Sequence, residues 1–315
     1  MANEHANGRS QMRTIFVINP VAGNGNSMKK WLAFKETIHF PFELAVSRYS
    51  GHATELVKEL HLSPEPVLVI GFGGDGTLRE VVAGAAGTDK IIIGSIAAGS
   101  GNDFGRGFHS FADAAEIASF LTVSKISTND LGEFKDDGIA NHFVNSSGIG
   151  FDAEISVLVN RSKLKQWLNK VGMGKIVYLL YVIITLLRFR LFSLTVELDG
   201  EIVKYDKVWF ATVSNQPYFG GGMKISPHSI VNDGILELTV VNRLSRLKLL
   251  LVFGTVFSGK HLKFKEVHQL KGREFLLTAD RPVYRHVDGD GAGSTPDHQP
   301  VSYSVSKHKW HSVNK

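Results

Sequence analysis

Cysteine is absent from this sequence, and so are long apolar runs. Without cysteine the chain has no disulfide framework, no thiolate metal site and no thiol nucleophile, which favours a reducing compartment. The most apolar run, Val177–Leu187, is interrupted only by Thr185, and crossing a bilayer takes roughly 20 helical residues. The first dozen residues are polar and lack the apolar core of a secretory signal. These absences predict a cytoplasmic protein with, at most, a peripheral association with a membrane.

The 315 residues have an ordinary globular composition, with 43% hydrophobic and 21% charged side chains. This length corresponds to about two domains. The net charge of +5 is unevenly distributed: residues 1–150 carry 12 basic and 16 acidic side chains (−4), whereas residues 151–315 carry 23 and 14 (+9). A basic second half predicts an anionic partner, and nucleic acid, an anionic membrane surface and a phosphorylated substrate all satisfy that charge.

The first half alternates strand-like and helix-like segments. Continuous aliphatic runs at Thr14–Ile18, Val67–Gly71 and Ile91–Ile96 are typical of parallel strands buried on both faces. The helix-like segments around them are Met28–Ile38, His52–His61, Leu78–Ala86 and Phe111–Leu121. This alternation predicts a doubly wound α/β domain, in which ligands bind where the carboxyl ends of the strands meet the following turns.

The pattern changes after about Ser124. A helical stretch from Asp152 to Arg190 precedes four strand-like segments: Leu194–Leu198, Lys207–Ser214, Ile235–Val241 and Glu274–Thr278. One helix-like segment, Ser245–Phe257, interrupts them, and we expect its Phe253 and Phe257 to belong to the core. The second half is therefore predicted to be a mostly β domain, a sandwich.

The run Gly73-Gly-Asp-Gly-Thr77 follows a predicted strand and precedes a helix that begins near Leu78. Its glycines let backbone N–H groups approach phosphate oxygens, and the helix N-terminus adds the positive end of a dipole. Asp75 can orient the hydration shell of Mg²⁺ or a ribose, and Thr77 can cap the helix or contact phosphate. A plain capped turn is the alternative interpretation.

Two further turns follow neighbouring predicted strands, at Gly99-Ser-Gly-Asn-Asp-Phe-Gly105 and at Asn19-Pro-Val-Ala-Gly23. Because adjacent parallel strands bring such turns to one crevice, the three together predict a nucleoside triphosphate site. Competing motifs fail: Walker A, HExxH and GxSxG are absent, and residues 288–293 lack the terminal Glu of a calcium loop.

Together with Gly51-His-Ala-Thr54 and Asn232-Asp-Gly234, these motifs occur in the order of the diacylglycerol kinase catalytic family. From about Arg13 to Lys309 the chain resembles the soluble bacterial lipid kinases of that family. The resemblance implies an α/β plus β fold: a doubly wound parallel-sheet nucleotide domain at residues 12–135 and a β-sandwich lipid-substrate domain at residues 136–300. It also leaves residues 301–315 free to return to the first domain.

By position, the resemblance assigns ATP contacts to the three turns and nearby strand ends. The residues are Asn19, Pro20, Val21, Ala22, Gly23, Ser47, Gly73, Gly74, Asp75, Gly76, Thr77, Leu78, Arg79, Glu80 and Ser100. Ser47 and Ser100 stand where family members often have Thr, which keeps the hydroxyl. Arg79 stands in place of a common Asn, so its contact is open.

The resemblance also places a structural Mg²⁺ at residues 230–235. Its ligands would be the Asp233 carboxylate and the backbone carbonyls of Ile230 and Ile235, and oxygen ligands of this kind suit Mg²⁺. From the residues alone, Asn232-Asp-Gly234 is otherwise typical of a plain β-turn.

The family's general base lies in an Asp-Gly-Glu segment that matches Asp288-Gly-Asp290, so the base position is Asp290, one methylene shorter. A carboxylate near the γ-phosphate can accept the proton of an attacking lipid hydroxyl. Shortening by about 1.5 Å matters because a misplacement of 1 Å can cost roughly 100-fold. Either the glycine-rich loop shifts to compensate or activity is weak; a simple turn residue is the remaining alternative.

These expectations describe an ATP-dependent lipid kinase that converts diacylglycerol or a related lipid to phosphatidate or a similar lipid phosphate. Asp75 would help to organise the catalytic Mg²⁺, and Asp290 would activate the hydroxyl. The alternatives are an NAD-kinase-like enzyme with a soluble substrate and a nucleotide-dependent membrane-binding regulator with weak catalysis. The basic, apolar second half and the segment 232–234 speak against the NAD-kinase alternative.

The expected partners are ATP and a lipid substrate at a membrane surface. A basic stretch precedes the apolar run Val177–Leu187 and consists of Arg161, Lys163, Lys165, Lys170 and Lys175. It could dock on anionic lipid with Trp167 as an interfacial anchor, or it could equally be a solvated basic face that leads into a buried helix. No interleaving of aromatic and basic residues indicates a nucleic-acid groove. An exposed sandwich edge could support a homodimer.

Overall fold

The computed structural model describes residues 12–99, 101–136, 138–161 and 174–314. A six-stranded sheet organises the first part, with strand order β2-β1-β3-β4-β17-β5. Its strands are β1 (Arg13–Ile18), β2 (Glu43–Val46), β3 (Val67–Gly73), β4 (Ile91–Ala97), β5 (Ile126–Asn129) and β17 (Trp310–Val313). Strands β2, β1, β3, β4 and β17 run parallel, and β5 is antiparallel to β17.

The central strands of this sheet are buried on both faces because their residues are aliphatic without alternation. Val67 and Val69 of β3 join one apolar cluster, whereas Leu68 and Ile70 join the cluster on the opposite face. The helices of this part are α1 (Asn26–Lys35), α2 (His52–Lys58), α3 (Asp75–Ala85), α4 (Phe104–Gly107) and α5 (Ala114–Val123). Short 3₁₀ segments lie at Ala22–Gly25 and Glu59–Leu62.

An eleven-stranded sheet, antiparallel in its pairings, organises the second part and folds around its own apolar cluster. Its strands are β6 (Gly132–Asp136), β7 (Ile139–Phe143), β8 (Ser146–Gly150), β9 (Phe192–Leu198), β10 (Glu201–Ser214), β11 (Leu236–Asn242), β12 (Val267–Gly272), β13 (Glu274–Ala279), β14 (Tyr284–Val287), β15 (Asp290–Ser294) and β16 (Val301–Val305). The helices are α6 (Phe151–Arg161), α7 (Gly174–Arg188) and α8 (Arg246–Val256), followed by a 3₁₀ turn at Lys260–Lys263. Among the described helices, none is both long and apolar enough to cross a bilayer.

The α/β plus β architecture expected from the sequence is confirmed. Within residues 301–315, β16 belongs to the second sheet and β17 to the first. The expected helix from Asp152 to Arg190 corresponds to α6 and α7, and the basic residues Lys163, Lys165 and Lys170 lie outside the described residues, as does Trp167.

One expectation about α8 is wrong. Phe253 and Phe257 are exposed, at 37% and 50%, instead of belonging to the core. The core face of this helix is formed by Leu249, Val252 and Val256, and the two phenylalanines pack edge-to-face on each other at 6.2 Å. Spacing alone could not choose the buried face, because α8 is apolar around most of its circumference.

Candidate active site

The carboxyl ends of β1, β3 and β4 lie side by side, and each leads into a glycine-rich turn. The amide of Asn19 donates to the Phe72 carbonyl (3.4 Å), and the amide of Ala98 donates to the Gly73 carbonyl (2.9 Å). The three turns therefore start at the same edge of the sheet, although they are far apart in the sequence.

Glycine is required where the turns touch. A Cβ on Gly99 would lie 2.4 Å from the Cα of Gly74, and a Cβ on Gly23 would lie 2.5 Å from the Ala98 carbonyl oxygen. Gly23 also has a left-handed φ of +58°. No Cβ therefore stands where the turns meet, which lets phosphate oxygens approach the backbone. Two of the turn amides, those of Val21 and Gly99, already donate to the side chains of Asn19 and Asn102.

A cleft of about 690 Å³ opens above the three turns. It is lined by Asn19, Pro20, Val21, Ala22, Gly23, Val46, Ser47, Arg48, Tyr49, Ser50, Gly74, Gly76, Thr77, Arg79, Glu80, Gly99 and Asp290. Most residues that the sequence assigned to ATP are in this lining. Asp75 is not part of the lining, Gly73 and Leu78 are buried beside it, and Ser100 lies outside the described residues.

Glu80 forms the far wall of the cleft by holding the start of α2. Its carboxylate accepts the amides of Gly51 (2.8 Å) and Ala53 (3.2 Å), and its carbonyl accepts the Thr54 hydroxyl (2.9 Å). The segment 51–54 therefore positions the wall through Glu80. Sequence reasoning singled out both segments but not this contact between them.

Arg48 and Tyr49 were missed by the sequence analysis, although both line the cleft. The Tyr49 ring stacks on His52 with centroids 4.6 Å apart, and its hydroxyl donates to Glu55 (2.5 Å). The only signal available was their place between strand β2 and the Gly51 turn.

Asp290 reaches the cleft from the second sheet. It begins β15, pairs with Val287 of β14, and its Oδ2 would lie 3.4 Å from a Cβ on Gly76 at the start of α3. Arg79 of α3 holds this hairpin twice: Nη2 lies 3.1 Å from Asp290 Oδ2, and Nη1 donates to the Val287 carbonyl (2.9 Å). Arg79 therefore fixes the short carboxylate at the mouth of the cleft.

Asp288, two residues before Asp290, faces inward. Its carboxylate accepts the amides of Val144 (3.0 Å), Asn145 (2.7 Å) and Ser146 (3.0 Å). Burial raises the pKa of the Asp288 carboxyl, while Arg79 and the three amides oppose that rise. Within the Asp-Gly-Asp segment, the first carboxylate anchors the hairpin and the second remains available at the surface.

Asp75 lies on the other side of the α3 N-terminus. Its Oδ1 accepts the amide of Phe104 (2.9 Å), so it ties the first turn of α3 to α4. Burial raises the pKa of the Asp75 carboxyl to about 6; the Phe104 amide opposes this rise, and the nearby charges of Asp103 and Asp288 contribute to it. A carboxylate held in this way gains from a cation placed beside it.

The loop at residues 230–235 joins the two sheets. Asp233 Oδ1 accepts the amide of Ile235 (3.0 Å), and buried Asp130 accepts the amide of Gly234 (2.6 Å). The Lys309 ammonium pairs with Asp130, so the buried carboxylate is neutralised by a side chain. Among the described residues no group of three or more His, Cys, Asp or Glu converges on a metal position. One exposed carboxylate with backbone carbonyls still suits Mg²⁺, which retains several waters.

Two family models match consecutive parts of the chain. The model described as the diacylglycerol kinase catalytic domain matches residues 13–134, and the model described as the YegS C-terminal NAD kinase beta sandwich-like domain matches residues 145–305. The first match contains the three glycine turns, and the second contains the β14–β15 hairpin with Asp290.

Several proteins of similar sequence are named as lipid kinases or diacylglycerol kinases. YtlR of Bacillus subtilis (strain 168), a protein named as a candidate lipid kinase, is 30% identical over 294 residues, which is 89% of this chain and 94% of that protein. The diacylglycerol kinase of Mycobacterium tuberculosis (strain H37Rv) is 31% identical, covering 71% of this chain and 70% of its own length. A diacylglycerol kinase of B. subtilis is 28% identical, with 90% and 91% covered.

A solved structure has the same fold. The crystal structure of a candidate diacylglycerol kinase from Bacillus anthracis (str. Sterne) superposes with a TM-score of 0.73 at 20% identity, covering 100% of this chain and 99% of that one.

Proposed function

The chain belongs to the diacylglycerol kinase-like family of bacterial lipid kinases, and on that premise we propose that it transfers the γ-phosphate of ATP to the hydroxyl of diacylglycerol or a related lipid. The product is phosphatidate or a similar lipid phosphate. The observation that carries the proposal is that Asp290, from the second sheet, lines the same cleft as the three glycine turns of the first.

The cleft supports binding of a triphosphate. Gly74 and Gly76 expose backbone amides at the start of α3, and the helix dipole adds positive potential at the same point. Arg48 and Arg79 supply the guanidinium groups of the lining. Asn19–Gly23 and Ser47 border the opposite side, where the Asn19 carboxamide is fixed by the amide of Val21 (3.1 Å). We assign the ATP contacts to these residues.

Asp290 is assigned as the general base. The lipid hydroxyl oxygen attacks the γ-phosphorus in line, the bond to the β-phosphate oxygen breaks, ADP leaves, and the hydroxyl proton moves to the Asp290 carboxylate. Arg79 holds that carboxylate in the resting cleft and compensates for the methylene that Asp lacks.

Mg²⁺ would supply positive charge that neutralises the charge developing on the phosphate oxygens during transfer. In this chain Asp75 would orient it near the phosphates, and Asp233 with the carbonyls of Ile230 and Ile235 would hold a second, structural ion. The half-buried Asp75 carboxylate is ionised in most molecules at neutral pH because its pKa of about 6 lies below 7.

The test is a transfer assay with purified protein and labelled ATP. Separate reactions contain diacylglycerol, phosphatidylglycerol or a sphingoid base in mixed micelles, and NAD in solution. We expect label in a lipid phosphate and a fall in kcat of about 100- to 10,000-fold in Asp290→Asn, which keeps the shape but cannot accept the proton. ATP binding, measured by calorimetry, should be nearly unchanged in that variant.

Two outcomes contradict the proposal. Transfer to NAD without transfer to any lipid identifies a soluble-substrate kinase. Nucleotide binding without transfer, in Asp290→Glu as well as in the wild type, identifies a regulator. Transfer that survives in Asp290→Asn keeps the lipid kinase but removes Asp290 as its base.

A further inference from the structure

Helices α7 and α8 carry exposed apolar side chains that no part of the proposed chemistry uses. We name this surface the two-helix face, and define it by Ile183, Leu187, Leu247, Leu250, Leu251 and Phe257. The side chains of Leu247 and Leu251 are 73% and 68% exposed. Isolated apolar residues on a surface need no explanation, but a contiguous set on two neighbouring helices indicates an interaction site.

The two helices meet at Arg246. Its Nε donates to the Leu186 carbonyl in the last turn of α7 (2.9 Å), so a hydrogen bond joins the start of α8 to the end of α7. Both helices pack on the same core, through Val182 and Leu186 of α7 and Leu249 and Val252 of α8. Their outward apolar residues therefore flank this junction on the same part of the molecule.

Helix α8 is apolar on both sides, although only one side is covered. Leu249, Val252 and Val256 contact the core, while the opposite side of the helix presents leucines to solvent. A helix that is apolar around its circumference is ordinarily buried. Within the described residues nothing covers the outer side of α8. Its exposed leucines are therefore available to an apolar partner outside this chain.

The charges around the two-helix face indicate that its partner is anionic. The segments 174–190 and 243–265 contain no acidic residue. Arg188 ends α7 and Arg190 follows it, while Lys260 and Lys263 follow α8. All four are exposed, and no ion pair among the described residues engages them. Apolar side chains flanked by cations complement the headgroup and acyl boundary of an anionic bilayer.

We infer that the two-helix face is the surface by which this kinase docks on an anionic membrane, with its leucines inserted at the acyl boundary and its basic flanks on the headgroups. The inference rests on the proposed function in one respect only, since a lipid kinase must meet a lipid phase. Docking itself needs neither ATP nor catalysis, so the two proposals fail separately.

The experiment is sedimentation of the full chain with vesicles, without ATP. Vesicles are phosphatidylcholine alone or phosphatidylcholine with phosphatidylglycerol. We expect binding to the anionic vesicles that weakens as salt is raised. Each Leu→Glu change should lower partitioning at least about 10-fold, so Leu247→Glu with Leu251→Glu should lower it about 100-fold or more. Lys260→Glu with Lys263→Glu should weaken binding to anionic vesicles alone, by about five-fold or more for each residue.

Leu62→Glu is the matched control, because Leu62 is 90% exposed but lies in the first part, away from the face. It should bind vesicles like the wild type. A thermal melt checks that the double leucine variant is folded, and transfer to a short-chain diacylglycerol dissolved as monomers should be unchanged in it. Its transfer to diacylglycerol in vesicles should fall in parallel with binding.

Wild-type-like vesicle binding by the double leucine variant overturns the inference. A wild type that ignores vesicles but forms a dimer, which the same substitutions dissociate in sedimentation velocity, overturns it as well and makes the face a subunit interface. Vesicle binding without transfer to any lipid supports the face and contradicts the proposed kinase.

Discussion

Arg79 links the two halves of the site, which are the glycine turns of the first sheet and the β14–β15 hairpin of the second. It stands on α3, yet both of its strong contacts, to Asp290 and to the Val287 carbonyl, are on the β14–β15 hairpin. Arg79→Asn introduces the residue that is common at this position in the family. It should lower kcat by about 10-fold or more because the Asp290 carboxylate loses the contact that positions it. Arg79→Lys should rescue only part of the loss, since an ammonium cannot hold both partners in one plane.

The measurement is kcat beside the dissociation constant for ATP in both variants. A fall in kcat with little change in ATP binding identifies Arg79 as a positioning residue for the base. An unchanged kcat in Arg79→Asn contradicts that role and leaves the hairpin to hold Asp290 by itself.

Asp75 gives a prediction in which stability and activity move in opposite directions. Its folded-state pKa of about 6 lies above the ordinary 3.8, so the folded protein binds the proton more tightly than the unfolded chain does. The nucleotide-free protein should therefore lose stability as pH rises from about 4 to about 6, by at most about 3 kcal/mol from this group. Asp75→Asn removes that loss, keeps the acceptor for Phe104, and should abolish transfer.

Urea unfolding of the nucleotide-free protein at several pH values checks this prediction. The variant should be more stable than the wild type at pH 7, and the difference should shrink toward pH 4. Equal stability of Asp75→Asn and the wild type at pH 7 would contradict the prediction. It would show that hydrogen bonds stabilise the ionised Asp75 carboxylate enough to offset its partial burial.

The individual residues of the site differ in how far the sequence could assign them. The motif Gly73–Thr77 predicted the start of α3 and its uncovered amides, because only glycine permits the approaches seen there. The division of labour between Asp288 and Asp290 could not be predicted, since it depends on three amides of residues 144–146 that lie far away in the sequence. The role of Glu80 depends in the same way on α2.

At the scale of elements, the contact between two turns is the sharpest constraint. Gly99→Ala places a methyl group 2.4 Å from the Cα of Gly74, so the turns after β3 and β4 must separate. We expect a loss of unfolding free energy of about 1–3 kcal/mol and weaker ATP binding. Gly254→Ala is the control: that glycine is helical with nothing within 4 Å, so alanine should stabilise the protein by about 0.5–1 kcal/mol.

Thermal melts and ATP titrations of the two alanine variants make the comparison. A Gly99→Ala protein with normal stability and normal ATP affinity would mean that the turns are loose enough to part, and the cleft would then not be preformed.

Elements with strong aliphatic patterns were predicted well, and others were missed for a physical reason. The expected strand at Val67–Gly71 is β3, and the expected helix at Ser245–Phe257 is α8, each within two residues at both ends. Strand β8, Ser146–Gly150, was missed because serine and glycine have little strand preference. It is nevertheless completely buried between β10 and β14, so tertiary pairing alone specifies it.

At the scale of the whole molecule, Trp310 anchors β17 in the first part, beside the connection from β5 to β6 that leads into the second sheet. It is fully buried, its ring lies 4.8 Å from Phe108 and 5.8 Å from Phe104, and its Nε1 donates to the Asp130 carbonyl (3.0 Å). Trp310→Ala should cost about 3–5 kcal/mol. Because the Phe104 amide supports Asp75, ATP binding should weaken as well.

Trp310→Phe separates packing from the hydrogen bond and should cost about 1 kcal/mol for the lost donor, plus the smaller ring. Urea unfolding with calorimetric ATP titration measures both effects. A Trp310→Ala protein that unfolds more easily but binds ATP normally would show that the packing around Trp310 and the cleft are independent.

The place of β17 in the first sheet also decides when this enzyme can assemble. The strand pairs with β4 and β5, and Ser312 accepts a hydrogen bond from Asn129, a residue 183 positions earlier. During synthesis the nucleotide half must therefore wait, with an open sheet edge between β4 and β5, until the whole sandwich has been translated. A nascent chain therefore cannot close its first sheet before the second sheet has been translated, so the ribosome never presents a closed first sheet by itself.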